Sequence, residues 1–224
     1  MKEFGDNRLD EGYNLVLNGD IKEAVAFFEK KLEEFPDSTH LMMEIASLYY
    51  ILGEMKKCIC TYKKVLQISP GSIFVNYRMG VAMYRATYFE QAVEVFTEII
   101  ESGKHLPMTY IWMGLCYYHL GKEDKSIECY RKLLELSPDT TMGNYYLGIA
   151  LKASGRYEEA LPHFDKLVKE NPRHASAHYH LGRTYMRTFK YDLAREEFKK
   201  VLELDPYNNN AQEMYDYITD DHSF

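Results

Sequence analysis

The sequence predicts an all-α protein made of six helix–turn–helix repeats and a C-terminal capping helix. Five prolines are separated by 34 or 68 residues: Pro36, Pro70, Pro138, Pro172 and Pro206. Within this 34-residue period, a small residue recurs at positions 8 and 20 and a Phe or Tyr at position 24. Because such a period is typical of stacked helical units, we expect an α-solenoid.

The period also sets the domain organisation. We place the repeats at 5–38, 39–72, 73–106, 107–140, 141–174 and 175–208, the capping helix at 209–219 and a tail at 220–224. No segment rich in Gly and Ser or in Pro separates the repeats. We therefore expect one continuous domain over residues 1–224.

Each repeat is predicted to form two antiparallel helices, A and B. In the second repeat, Ile45, Leu48 and Leu52 have the apolar spacing of one helix and Ile59, Tyr62 and Leu66 that of the next. Most repeats have a glycine between the helices, whereas Thr87 and Phe189 stand at that place in the third and sixth. Small side chains at positions 8 and 20 let the two helices approach, and the ring at position 24 fills the space beside them.

Two repeats depart from this pattern at a proline. Lys104 replaces the closing proline of the third repeat, where Gly103 can end helix B and Pro107 can start the next helix. Pro162 lies inside helix B of the fifth repeat and is expected to cause a mild kink.

The last predicted helix is apolar on one side only. Ala211, Met214, Tyr215 and Ile218 follow helical spacing, and polar residues lie between them. A helix of this kind can end a solenoid in solvent.

These repeats resemble the tetratricopeptide repeat (TPR), whose pattern is W-x2-L-G-x2-Y, A-x3-F, P. The fourth repeat carries the pattern as Tyr110, Met113, Gly114, Tyr117, Ser126, Tyr130 and Pro138. The resemblance implies a non-enzymatic protein-interaction scaffold, a right-handed superhelix with a concave groove lined by the A helices. Some members hold a terminal carboxylate with Lys, Asn and Arg residues at fixed positions, and of that set only Arg78 matches here.

Helix A has a second face that a simple amphipathic helix would leave polar. In the third to sixth repeats, 16 of the 24 residues at positions 2, 5, 6, 9, 12 and 13 are hydrophobic, and the charged ones are all basic. Rows of Tyr, Trp, Met and Arg are typical of binding surfaces. The predicted peptide-binding residues are Phe74, Tyr77, Arg78, Tyr84, Arg85, Trp112, Tyr118, His119, Tyr145, Tyr146, Lys152, Tyr179, His180, Arg183 and Arg187.

Packing between successive A helices is an alternative explanation for part of this face. Val81, Leu115 and Ile149 at position 9 suit either interpretation, because stacked repeats must bury something at each interface. The polar tips of other residues need solvent or a partner, which favours binding: Tyr84, Trp112, Tyr118, Tyr145 and Arg183.

The charge of the chain bears on the class of partner. With 27 basic and 34 acidic residues the net charge is −7, which argues against nucleic acid and anionic membranes. We expect a protein or peptide ligand that is acidic and has apolar anchors. Because Asp6, Asp10 and Glu44 lie on the same face of the first two repeats, head-to-tail self-assembly into a homo-oligomer is the main alternative. Binding of single-stranded nucleic acid by the rings and arginines is a second alternative, which the net charge disfavours.

No pattern typical of catalysis or of cofactor binding is found. His174, His178 and His180 lie close together in sequence, as do Cys116 and His119, but no acid completes either set. We therefore expect no enzyme activity, metal or cofactor. Four cysteines without CxxC spacing, and no long apolar run, favour a cytoplasmic location.

Overall fold

The structure is a computed structural model that describes residues 9–103 and 106–221, with side chains as far as residue 219. In these ranges it is all-α, as predicted, with thirteen helices and no strand. The helices are α1 (Asp10–Asn18), α2 (Ile21–Glu34), α3 (Thr39–Ile51), α4 (Met55–Ile68), α5 (Ile73–Arg85), α6 (Phe89–Glu101), α7 (Pro107–His119), α8 (Glu123–Leu136), α9 (Thr141–Ala153), α10 (Tyr157–Glu170), α11 (Ala175–Arg187), α12 (Tyr191–Leu204) and α13 (Asn209–Asp221).

The chain divides into two compact units. The N-terminal unit is Met1–Trp112 and the C-terminal unit is Met113–Phe224, so the boundary falls inside α7. Within each unit, helices that follow one another in the chain pack together. The odd-numbered helices α1 to α11 are the predicted A helices and the even-numbered helices are the B helices.

The predicted contact between small residues and rings is confirmed. A Cβ built on Gly80 would lie 2.6 Å from the ring of Phe96, and one on Gly114 would lie 2.6 Å from Tyr130. All six rings at position 24 are less than 2% exposed: Phe28, Tyr62, Phe96, Tyr130, Phe164 and Phe198. Helices A and B therefore approach closely where the small residue leaves room for the ring.

The two turns without the usual glycine still adopt its conformation. Thr87 has φ of 61° and Phe189 has φ of 59°, in the left-handed region that residues with a Cβ rarely occupy. The short turn demands this conformation, so each residue carries a strain of about 1 kcal/mol.

The irregular elements largely follow the sequence predictions. Helix α7 begins at Pro107, after Gly103 with φ of 72°, whereas Lys104 lies outside the described residues, as does Asp6. Helix α10 continues through Pro162, and its kink stays a prediction.

Helix α13 runs to Asp221, past the predicted end at 219, and the remaining tail lies outside the described residues. Ala211 and Ile218 are buried, and Met214 and Tyr215 pack against the cluster formed with α12. The apolar side of this helix is therefore the one that the sequence predicted.

Candidate functional site

In the N-terminal unit, three aromatic residues of the predicted site meet in one cluster. Trp112 of α7 lies half-buried between two tyrosines of α5. Its Nε1–H donates a hydrogen bond to the hydroxyl of Tyr77 at 2.9 Å, and its ring meets the ring of Tyr84 edge-on at 5.2 Å. We call Tyr77, Tyr84 and Trp112 the Trp112 cluster.

A cleft of about 250 Å³ lies beside the Trp112 cluster. Its walls come from α3, α4, α5 and α7: Ser47, Tyr50, Ile51, Tyr62, Tyr77, Arg78, Val81 and Trp112. Most of this surface is aromatic or aliphatic, and one guanidinium faces it. The cleft can therefore take a large apolar side chain whose neighbour is negatively charged.

The two arginines of α5 are held against aromatic rings. Arg78 lies over the ring of Phe74 at 5.2 Å and donates a hydrogen bond to Ser47 Oγ at 3.2 Å. Arg85 lies over the ring of Tyr50 at 4.4 Å. Neither forms an ion pair with a carboxylate among the described residues, so their charge remains available to a ligand.

In the C-terminal unit, the corresponding cluster is polar. His180 of α11 lies between Tyr145 and Lys152 of α9. Lys152 Nζ is 3.0 Å from His180 Nδ1, and the hydroxyl of Tyr145 is 3.3 Å from His180 Nε2. A lysine ammonium can only donate, so Nδ1 accepts and the ring proton is assigned to Nε2. We call Tyr145, Lys152 and His180 the His180 cluster.

Burial and like charge shift the pKa values in the His180 cluster. Burial, reinforced by the charge of Arg183, lowers the pKa of Lys152 to about 8. Burial, together with Lys152, Arg183 and His174, lowers the pKa of His180 to about 3. None of these neighbours is an acid, so nothing compensates the positive charge inside the cluster.

The remaining predicted residues of the C-terminal unit differ in exposure. Tyr146 stacks on Tyr130 at 5.7 Å and joins the core, whereas Tyr179 packs edge-on against Phe198. Four predicted residues, at the end of α7 and in the C-terminal half of α11, are exposed: Tyr118, His119, Arg183 and Arg187. The last two line a cleft of about 370 Å³ with Tyr157, Met186, Phe189, Tyr191, Met214 and Tyr217.

The sequence analysis missed several residues that line these clefts. Tyr50 and Ser47 complete the cleft beside Trp112, and their positions in the second repeat match those of Tyr84 and Val81 in the third. Extending the same positions by one repeat would have found them. Phe189 and Met214 belong to a turn and to the capping helix, for which the repeat positions of helix A carry no signal.

Part of the predicted second face is core. Val81 and Ile111 are buried, and Ile149 packs partly buried against the core of the C-terminal unit. The expectation about polar tips needs a correction for Trp112 and Tyr145, because each has a hydrogen-bonding partner within the protein. Both rings remain partly exposed.

The ion pairs divide the basic residues by helix. Among the described residues, the lysines and arginines in ion pairs lie on B helices or in the turns before them. The five basic residues of the predicted site have no carboxylate partner there: Arg78, Arg85, Lys152, Arg183 and Arg187. The A helices of both units therefore carry positive charge that no described carboxylate pairs.

Comparison with protein families decides the classification. Three profiles described as tetratricopeptide repeat match residues 39–72, 107–140 and 145–209. The chain belongs to the tetratricopeptide-repeat family. The first two matched segments have the bounds of the second and fourth repeats that the sequence predicts. No curated protein matches the chain in sequence.

Several solved structures, two of them described as TPR proteins, share the fold. The TPR protein YrrB, described as having an unusual peptide-binding site, has 22% identity and a TM-score of 0.69, covering 83% of this chain and 96% of its own. A TPR protein from Parabacteroides merdae has 14% identity and a TM-score of 0.72, covering 94% and 97%. PilF of Pseudomonas aeruginosa has 19% identity and a TM-score of 0.72, covering 92% and 94%. The chain is thus an α-solenoid of TPR type, a fold typical of non-enzymatic protein-interaction scaffolds.

His178, one of the three neighbouring histidines in the sequence, belongs to the core. His178 is buried and bonded to Glu197 and to the carbonyl of Pro172. In the described ranges no group of three His, Cys, Asp or Glu side chains is placed to hold a metal ion, and no helix is long and apolar enough to cross a membrane.

Proposed function

We propose that this TPR protein is a non-enzymatic adaptor whose A helices bind an acidic or carboxylate-bearing peptide segment with apolar anchors. The observation that carries the proposal is the set of five A-helix cations without a carboxylate partner, on a chain whose net charge is −7. An acidic ligand supplies the missing counter-charge, and arginine can hold a carboxylate through two hydrogen bonds. The peptide-binding residues proposed are those that the sequence analysis named, together with Tyr50 and Ser47.

The two units contribute different surfaces to this function. In the N-terminal unit, the cleft beside the Trp112 cluster suits an apolar side chain, with Arg78 at its wall. In the C-terminal unit, Arg183 and Arg187 are exposed on α11 and suit carboxylates. Tyr and Trp contribute contact area at a small loss of side-chain entropy, and they are enriched in binding hot spots.

A randomised peptide library selected on the wild-type chain tests the proposal. We expect enrichment of Asp or Glu near a Leu or aromatic residue. The chain has one tryptophan, so emission from Trp112 should change when the apolar anchor enters the adjacent cleft. Selection of basic peptides, or of none, would overturn the proposal.

Paired charge reversals locate the binding surface. Arg183→Glu with Arg187→Glu should lower the affinity for the selected acidic peptide by about tenfold or more, since an attraction becomes a repulsion. Lys63→Glu with Lys64→Glu on α4 is the matched control, because it changes the net charge equally on an exposed B helix. Equal weakening by both pairs would contradict a site on the A helices.

Self-assembly is the alternative that the acidic first repeats suggest. Sedimentation at low and at high salt, over a range of protein concentrations, separates the two functions. If the protein is a monomer at high concentration and low salt, head-to-tail assembly is excluded and the adaptor function remains. We also keep, as predictions, the absence of a cofactor and a cytoplasmic location, where the four cysteines would stay reduced.

A further inference from the structure

The His180 cluster has an arrangement that packing alone does not explain. Lys152 is half-buried on α9, and its ammonium points at a neutral imidazole nitrogen. Arg183 lies one turn after His180 on α11, and its exposed guanidinium lies over the ring of Tyr179 at 5.9 Å. Neither Lys152 nor Arg183 has a carboxylate partner among the described residues, so each carries a charge that a bound anion would neutralise.

The titratable and charged groups that face this place come from two helices, and the ring of Phe164 on α10 stacks on His180 at 5.6 Å. From α9 they are Tyr145 and Lys152, and from α11 and its N-terminal residue they are His174, Tyr179, His180 and Arg183. The pKa values of Lys152 and His180 are shifted by burial and by cations, and no charged group of α8 or α10 contributes to either shift. No described acid therefore neutralises this place, and a bound anion would supply the opposite charge.

We infer that Lys152 and Arg183 form a carboxylate subsite in which His180 positions the Lys152 amine. Binding of a carboxylate at this subsite is coupled to protonation of that amine. The inference rests on the proposed function, because it assigns a role to one cluster of the same surface. The bound carboxylate favours the ammonium form of Lys152. The proton comes from solvent and adds to the lone pair of the amine, and no covalent bond to the ligand forms.

The equivalent place in the N-terminal unit lacks this property. There Trp112 replaces His180 and Tyr84 replaces Lys152, and the hydrogen bond runs from an indole that does not titrate. Proton uptake is therefore expected only for a ligand that reaches the His180 cluster.

Small carboxylates test the subsite without knowledge of the full ligand. Sodium acetate is titrated against sodium chloride at equal ionic strength, and the ¹³Cε resonance of Lys152 is followed between pH 7 and 10. Its disappearance in Lys152→Met assigns the resonance. We expect acetate to raise the titration midpoint of Lys152, which lies at about 8 in the free protein. A midpoint that responds equally to both salts would overturn the inference.

Two further probes distinguish the sources of the carboxylate. N-acetyl-glutamate α-amide presents a side-chain carboxylate, and N-acetyl-alanine presents a main-chain terminal carboxylate. The probe that raises the midpoint at the lower concentration identifies the preferred source. If neither probe raised the titration midpoint of Lys152, the inference would be overturned.

Calorimetry with the selected acidic peptide measures the proton itself. Titrations at pH 8 in two buffers of different ionisation enthalpy should report an uptake of about half a proton per complex, falling to none near pH 6. Lys152→Arg keeps the charge but cannot take up a proton, so uptake should vanish while binding persists. Equal uptake by wild type and Lys152→Arg would contradict the inference. The proposed function would still stand in that case if the Arg183→Glu, Arg187→Glu double variant no longer bound the acidic peptide.

Discussion

The Trp112 cluster and the His180 cluster occupy the same repeat positions in two units and differ in chemistry. In each, a side chain at position 6 of one A helix lies against positions 5 and 12 of the preceding A helix, and both hydrogen bonds to the tyrosine at position 5 span 35 residues. In the N-terminal unit the three side chains are Tyr77, Trp112 and Tyr84. In the C-terminal unit they are Tyr145, His180 and Lys152.

This difference shows how a repeat changes its ligand without changing its fold. The backbone places three side chains together in both units because the repeat length is the same. Substitution at positions 6 and 12 converts a cluster of two tyrosines and a tryptophan into a cationic cluster that contains an amine and an imidazole. Apolar contact should therefore dominate binding in one unit and charge in the other.

The largest expected effect comes from removal of the residue at position 6. Trp112→Ala loses a half-buried ring and its hydrogen bond and should lower the free energy of unfolding by about 3 kcal/mol, against about 1–2 kcal/mol for the smaller ring in His180→Ala. Urea unfolding followed by far-ultraviolet circular dichroism measures both. Trp112→Phe, which keeps most of the ring, is the control and should lie near the wild type. A larger loss in His180→Ala would reverse the comparison.

The acid dependence of stability should belong to the C-terminal cluster. The pKa of His180 is about 3 in the folded protein, below its ordinary value, so the unfolded chain binds the proton first as the pH falls below about 6.5. Stability from this group is complete above pH 6.5 and declines toward pH 3. Between pH 6.5 and pH 5 the free energy of unfolding should fall by about 1–2 kcal/mol more in the wild type than in His180→Gln.

Urea titrations at the two pH values give this difference, and Trp112→Phe is the control because indole does not titrate. A loss in His180→Gln as large as that of the wild type would show that other groups carry the acid dependence.

A smaller effect is expected from Lys152 at alkaline pH. Its pKa is about 8 in the folded protein, below its ordinary value, so the unfolded chain holds the proton at higher pH and stability rises above pH 8. Because the side chain is only partly buried, we expect the free energy of unfolding of the wild type to rise by about 1 kcal/mol relative to Lys152→Met between pH 7.5 and pH 9.5. Thermal unfolding at the two pH values measures the gap between the variants. A constant gap would mean that Lys152 titrates normally.

The smallest effects come from the strained turns, one in each unit. Thr87→Gly and Phe189→Gly place glycine at φ values near 60° and should each stabilise the protein by about 0.5–1 kcal/mol. Thr87→Gly should leave binding of acidic peptide unchanged. Phe189→Gly should weaken it, because Phe189 is 80% exposed and lines the cleft with Arg183 and Arg187.

Equilibrium unfolding and peptide titration of both variants give the two quantities. Unchanged binding in Phe189→Gly would remove that residue from the binding surface.

Much of the fold could be predicted because its physical causes lie close together in the chain. The spacing of apolar residues predicted helices A and B, and small residues at fixed positions predicted where those helices approach. The rings at position 24, such as Phe96 and Phe164, could be assigned to the core from the repeat pattern alone, and both are buried. The division into compact units at Trp112 and Met113 has no such local signal.

Much less of the candidate site could be predicted. The sequence showed a basic and aromatic face on helix A and left position 9, with Val81, open between packing and binding. Helical position alone could not decide that Val81 is core while Phe74 and Arg85 are exposed, because all three lie on the same side of an isolated helix. The clefts also take residues from a turn and from α13, which the positions of helix A do not describe.

By itself, the sequence determined the repeat, its helices and the sign of the charge on the A helices. Periodicity records the direction of each side chain around one helix axis, and that direction is a local property. Only the tertiary structure decided that Trp112 meets Tyr77 and that His180 meets Lys152, since these partners lie on different helices. The environment that sets the pKa of Lys152 is likewise made by residues distant in the chain, because burial and Coulomb interactions depend on spatial distance rather than on sequence separation.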